Sequence, residues 1–362
     1  MKKINKNTAV VSLAIKDDVK SFRSSEYNYD FNLKTGLFSR WGKTFKDDPQ
    51  WSPFGPEIAD IEISYGNGCS IRCPWCYKGN ETGSTPFNMT LDKFREVFEK
   101  FPKFNGEYFV NQVALGLTSV AQSPEIVEIC KWLRANNVIP NATINGADPL
   151  TAEQIKDLVD VMGAMAISVA KFNYEKGLNL IQRFIKAGAK QLNIHYVLHK
   201  DSIEDAYKLV NAYLTDERLK GLNAIVFLSL KPKNRGEKME ALSQEEYAKL
   251  IQYCLSNNIP FGSDSCGAGK VIKSFSKEQN DKFLPYIEPC EATHFSFYCD
   301  AEGYYFPCSF LANEEGDWKN GIHIPSVKDF LSEVWNAGIT RKFGDGVSKC
   351  NNCLGGCSHF TI

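Results

Sequence analysis

Between Gly68 and Asn80 the chain reads GCSIRCPWCYKGN, which sets three thiols, Cys69, Cys73 and Cys76, in a run of eight residues. Thiolate sulfur is a soft ligand that selects zinc, copper(I) or iron-sulfur clusters. A structural zinc site takes four protein ligands, so a fourth would have to come from elsewhere in the fold, and the nearest histidine along the chain is His195. A cubane cluster held by three cysteines instead keeps one iron open for a substrate or cofactor, which gives the number three a chemical reason. Farther along, Cys266 in the loop SDSCGAGK can ligate a cluster, donate a hydrogen atom or fill space, and Asp264 beside it can accept a proton.

These groups need a scaffold. Cys69 follows the strand pattern DIEISYG (60–66) by a few residues, which places all three thiols at the C-terminal end of that strand, where α/β barrels build their sites. Strand patterns NQVALGL, NATIN, AMAISVA, QLNIHYVL and AIVFLSL follow. They alternate with helical patterns near 91–101, 124–136, 151–161, 174–187, 202–214 and 243–257, with helix starts marked by TLDK at 90 and SQEE at 243. Six βα units predict parallel strands with right-handed crossovers. At period two, Ile61, Ile63, Ala142, Ile144, Ile167, Val169, Leu192, Ile194 and Tyr196 share one face. Glu62, Ser64, Thr143, Asn145, Ser168, Asn193 and His195 share the other. Helices must cover the apolar face, so the polar set points inward, and a polar interior fits an incomplete, splayed barrel better than a closed one.

The expected fold is therefore α/β: a partial (β/α)6 TIM-like barrel over 60–264, an N-terminal hairpin and connector over 1–59, and a small metal-organised domain over 265–362. Six of the twelve cysteines lie from Cys290 onward. In that last segment FSFYCDAEGYYFPCS reads as a hairpin turning at AEG, and a helix is expected over 326–337.

A chain of 362 residues with 43% hydrophobic content can bury a substantial core. Forty-two basic against forty-three acidic residues leave no electrostatic footprint for nucleic acid or an anionic membrane. No run approaches the ~20 apolar residues of a membrane span, and the N-terminus MKKINKNTAVVSLAIKDDVK lacks the pattern of a secretion signal. Thiol-rich composition without an export signal points to a reducing compartment, and a cytoplasmic location is expected.

The run CSIRCPWC resembles the CX3CXφC motif of the radical SAM superfamily, with Trp75 as the aromatic φ residue. The resemblance implies that Cys69, Cys73 and Cys76 hold a [4Fe-4S] cluster whose open iron is chelated by the amino and carboxylate groups of S-adenosylmethionine. It implies that one electron cleaves the sulfonium and that the resulting 5′-deoxyadenosyl radical abstracts a substrate hydrogen atom in an enclosed, dry site. A reductant such as flavodoxin or ferredoxin is the implied partner. Trp75 is expected beside the adenine, and Ser168, at the end of the fourth strand, near the ribose. The Gly-Gly-Glu-like segment common after the second strand in that family is here GLTSVAQ, without a glutamate, and Thr118 and Ser119 offer a hydroxyl or a carbonyl instead. Asn145, Asn193 and His195 can serve the cofactor, the substrate or one another.

Cys290 begins a CX12GX4C segment ending at Cys308, and Cys350 and Cys353 form a distal CX2C pair. This arrangement resembles the SPASM or twitch extension of radical SAM enzymes, which ligates auxiliary [4Fe-4S] clusters. A complete SPASM domain carries more cysteines after the pair, so the resemblance implies one auxiliary cluster on Cys290, Cys308, Cys350 and Cys353, with Cys357 competing for the last place. A zinc ribbon of the same four is the alternative. Cys130, Cys254 and Cys299 read as small buried hydrophobes. By analogy the expected substrate is a peptide or protein side chain. Dehydrogenation of a small alcohol or amino sugar is the second reading, and a non-catalytic metal-binding adaptor is a reading of another class.

Overall fold

The computed structural model describes residues 11–66, 69, 71–78, 85–312 and 316–352, the side chains of 350–352 excepted. Cys353 and Cys357 lie outside the described residues.

Strands β1 (Ser12–Lys16), β2 (Val19–Arg23), β3 (Asn28–Asn32) and β4 (Phe38–Trp41) form an antiparallel sheet in sequence order. The expected hairpin is β3–β4, and β1 and β2 extend it to four strands. Their inward side chains build an aromatic layer, with Phe22 edge-on to Phe109 at 4.8 Å and Tyr29 edge-on to Phe109 at 5.3 Å. Lys20 is fully buried, donates to the Val110 carbonyl at 2.7 Å, and is pushed down to about 7 by that burial.

The six βα units are present. Strands β5 (Ile58–Glu62), β6 (Gln112–Gly116), β7 (Ile139–Asn145), β8 (Ala164–Ser168), β9 (Gln191–Leu198) and β10 (Ala224–Ser229) are parallel neighbours. They alternate with helices α1 (Leu91–Phe98), α2 (Ile126–Ala135), α3 (Ala152–Val161), α4 (Tyr174–Lys186), α5 (Ile203–Thr215) and α6 (Gln244–Ser256). The caps behave as the sequence predicts: Thr90 accepts from the Lys93 amide, and Ser243 with Glu246 closes a capping box. A seventh parallel strand, β11 (Phe261–Ser263), pairs with β10 and is too short to show a period of its own.

Beyond Asp264 come two short helices, α7 (Ala268–Ser274) and α8 (Lys277–Phe283), and then the expected hairpin, β12 (Ser296–Cys299) and β13 (Tyr304–Phe306). β12 runs parallel to β5, with Tyr298 opposite Asp60, and β14 (Ile322–His323) pairs with β13. The result is a ten-stranded, mostly parallel sheet in the order β11-β10-β9-β8-β7-β6-β5-β12-β13-β14. Residues 326–337 do not form the expected regular helix: a 3₁₀ turn covers Ile324–Ser326 and a π-helical turn Leu331–Trp335. Helix α9 (Gly338–Asn352) follows and carries Cys350. No helix among the described residues is long and apolar enough to cross a membrane.

Alternation along β9 shows how this fold makes a site. Leu192, Ile194, Tyr196 and Leu198 are buried, while Asn193, His195 and Val197 line the interior.

Candidate functional site

The interior of the parallel sheet is a cavity of about 590 Å³, within the range of small-molecule sites. Cys69, Cys73 and Cys76 all line it, from the loop that follows β5. The loop turns back through the Cys76 amide, which donates to the Cys73 carbonyl at 3.1 Å, and through Arg72, in the left-handed region at φ 49°. The Cys73 thiol is pushed up to about 12, first by burial and then by the charges of Cys76 and Cys69, with Arg235 opposing. Three thiolates this close repel one another, and positive charge among them would relieve both the burial and the repulsion. Among the described residues no three His, Cys, Asp or Glu side chains converge on a single ion position.

Trp75 projects into the same cavity, its ring 5.2 Å from that of His199 and 5.6 Å from that of Phe172. The same lining holds Asn145 and Ser168, the last residues of β7 and β8, together with Asn193 and His195 of β9. His195 Nδ1 is 3.0 Å from the Thr143 hydroxyl, and burial pushes its pKa down to about 4 against the pull of Asp264. The imidazole is therefore neutral at physiological pH. The Asn145 side-chain oxygen accepts from the Ala147 amide at 3.1 Å. The Ser168 carbonyl accepts from the Asn173 side chain at 3.0 Å.

Thr118 and Ser119 have different fates. Thr118 lines the cavity, with its hydroxyl 3.2 Å from Ser64 and its amide donating to Ser64 at 2.9 Å. Ser119 is buried outside the lining, and its side chain caps the 3₁₀ turn Val120–Gln122. Asp148 ties the same turn down by accepting from the Val120 amide at 3.0 Å.

One wall carries a charged cluster of which the period-two reading singled out Glu62 alone. Lys78 Nζ lies 3.0 Å from Glu62 Oε2 and hydrogen-bonds Tyr298, whose hydroxyl also donates to Glu62. Asp60, on the same face of β5 as Glu62, is pushed up to about 6 by burial, with Lys78 opposing and Glu62 adding to the rise. Asp60 was accessible to the alternation argument, being two residues before Glu62. Tyr298 was not, because it reaches this wall through the β12–β5 pairing.

Asp60 also lines a second cavity of about 190 Å³, where Cys266, Cys290 and Cys308 meet Tyr298, Phe310 and Phe343 of α9. Cys130, Cys254 and Cys299 are fully buried at 0% exposure. Asp264 does not stand open to a substrate. Its carboxylate accepts from Lys231 Nζ at 2.9 Å, the Ser229 hydroxyl at 3.1 Å, the Ser229 amide at 3.3 Å and the Gly267 amide at 3.0 Å. Four donors fill the lone pairs of a carboxylate, so the residue organises the turn after β11.

No family model matches the sequence, and no match is found among curated proteins. Solved structures do resemble it. SuiB from Streptococcus suis bound to S-adenosylmethionine superposes with a TM-score of 0.61 at 13% identity, covering 95% of each chain. A second structure of SuiB gives 0.64 at 13% identity, over 90% of this chain and 88% of that one. SuiB bound to its precursor peptide SuiA gives 0.59 at 14% identity, over 79% of this chain and 65% of that one. At that identity the likeness is one of architecture: the chain has the fold of SuiB.

Proposed function

We propose that this chain is a radical SAM enzyme that acts on a peptide or protein side chain. The observation that carries the reading is the convergence of Cys69, Cys73, Cys76 and Trp75 on the cavity lined by Asn145, Ser168, Asn193 and His195. The donor set suits a [4Fe-4S] cluster with one open iron. The lining holds three thiols, and their mutual repulsion calls for cationic charge. When bound, such a cluster supplies the electron that cleaves S-adenosylmethionine and so yields the radical that takes a substrate hydrogen atom.

The chain's own residues do the rest. Trp75, braced by His199 and Phe172, offers an aromatic face for the adenine. Asn145, Ser168 and Asn193 offer amide and hydroxyl groups for the ribose and the amino-acid end. A neutral His195 gives one donor and one acceptor and adds no charge to the lumen. Lys78, Glu62, Asp60 and Tyr298 form the polar wall, where a substrate's polar groups can be oriented. The peptide-bound form of SuiB supports a peptide as the substrate class, and a flavodoxin or ferredoxin is the proposed electron donor.

The test is anaerobic reconstitution with iron and sulfide, followed by dithionite and S-adenosylmethionine, with 5′-deoxyadenosine quantified. Product at least tenfold above a Cys73→Ala control is expected. No product above that control would remove the enzyme reading and leave the metal-binding adaptor.

A further inference from the structure

We propose that Cys266 is a third thiolate ligand of the metal group in the second cavity, beside Cys290 and Cys308. The proposal rests on the auxiliary-cluster part of the reading above and extends the ligand set beyond the C-terminal cysteine motif. Three separate segments bring these thiols together: the turn after β11, the approach to β12, and the end of the β12–β13 hairpin. Cys266 does not line the barrel cavity, so it is badly placed to donate a hydrogen atom to a substrate bound there.

The turn that carries it is built around a buried charge. Lys231 is 6% exposed, and its ammonium pairs with Asp264 at 2.9 Å and also hydrogen-bonds Cys266. Asp264 is fixed by three further donors, from Ser229 and Gly267. The ammonium is therefore held in place beside Cys266, so the thiol faces a fixed positive charge at the rim of the cavity that Cys290 and Cys308 also line. No three of these groups converge on one ion position.

The test uses the full chain carrying Cys69→Ala, Cys73→Ala and Cys76→Ala, which removes the first site and with it any dependence on S-adenosylmethionine cleavage. After reconstitution this chain is expected to keep roughly four irons with matching sulfide, as one cubane requires. Adding Cys266→Ser is expected to halve the iron or to shift the low-temperature EPR signal of the reduced protein, as Cys290→Ser and Cys308→Ser do. Alkylation followed by mass spectrometry keeps Cys266 intact and so avoids any folding defect. Iodoacetamide should label Cys266 at least tenfold more slowly in the loaded than in the metal-free protein. A triple variant without iron, an unchanged EPR signal in Cys266→Ser, or equal labelling with and without metal would each overturn the proposal.

Discussion

His195 is held by the Thr143 hydroxyl at 3.0 Å, and burial outweighs the pull of the Asp264 carboxylate in setting its charge. Its pKa is lowered from 6.5 to about 4, chiefly by burial. Between those values the unfolded chain binds a proton that the folded chain refuses, so this residue makes stability fall as pH drops from about 6.5 toward 4. From pH 7 to 5 the loss amounts to about 1 to 2 kcal/mol after allowing for contact with the water of the cavity. Urea unfolding of the wild type and of His195→Gln at both pH values checks this. His195→Gln is expected to lose less stability on acidification by that amount, and identical pH slopes would count against the buried, neutral imidazole. The inward position of His195, Asn193 and Asn145 was legible because their strands alternate cleanly. The partners of Asp60 and Cys266 were not legible, since Tyr298 comes beside Asp60 through the β12–β5 pairing and Lys231 reaches Cys266 from the loop after β10.

At the scale of elements, the three-thiol loop depends on how it leaves β5. Gly66 has φ of +95°, and a Cβ there would lie 2.5 Å from the Thr85 carbonyl oxygen, a backbone atom that cannot swing away. An L-residue pays roughly 1–2 kcal/mol for the left-handed region alone, and the clash adds to it. Gly66→Ala is therefore expected to displace the segment carrying Cys69 and to lower the iron retained after reconstitution by at least half, with little change in the circular dichroism of the helices. Gly106→Ala is the control for backbone strain without a clash, because its φ is +86° and nothing lies within 4 Å of the added Cβ. Iron retention equal in the two variants would argue that the exit turn does not position the thiols. Helices and caps were legible here because Thr90 and Ser243 are local signals backed by an apolar stripe at period 3.6. The N-terminal strands were harder to read. Five-residue strands such as VKSFR, with a buried Lys20 in an apolar register, hide their alternation. The segment LSEVW has a helical composition yet winds as a π-helical turn, which no local pattern foretells.

The molecule as a whole is tied together by a pairing that no local pattern can announce. β12 lies beside β5 in the sheet although more than two hundred residues separate them, and this contact joins the C-terminal segment to the βα units. The packing is continuous across it. Phe297 of β12 meets Phe101 edge-on at 5.5 Å, and Trp335 is fully buried and donates its indole N–H to the Ser52 carbonyl at 2.7 Å. Asp60 then faces both thiol-lined cavities from the strand that borders the seam. A chain ending at Asp264 would leave the backbone of β5 unpaired along one edge and uncover the aromatic side chains that Phe297 and Trp335 bury, a combination that invites aggregation. Such a fragment is expected to lack a cooperative thermal transition, while the full chain melts in one step. Phe297→Ala in the full chain should cost about 3 to 5 kcal/mol, the usual loss for a large aromatic side chain deleted from a packed core. Near-ultraviolet circular dichroism and denaturant titration measure both effects. A soluble 1–264 fragment with a sharp melt of its own would show that the seam is an interface between two independently stable units, and the distance between the two cavities would then be free to vary; a single shared transition means that the sheet sets that distance.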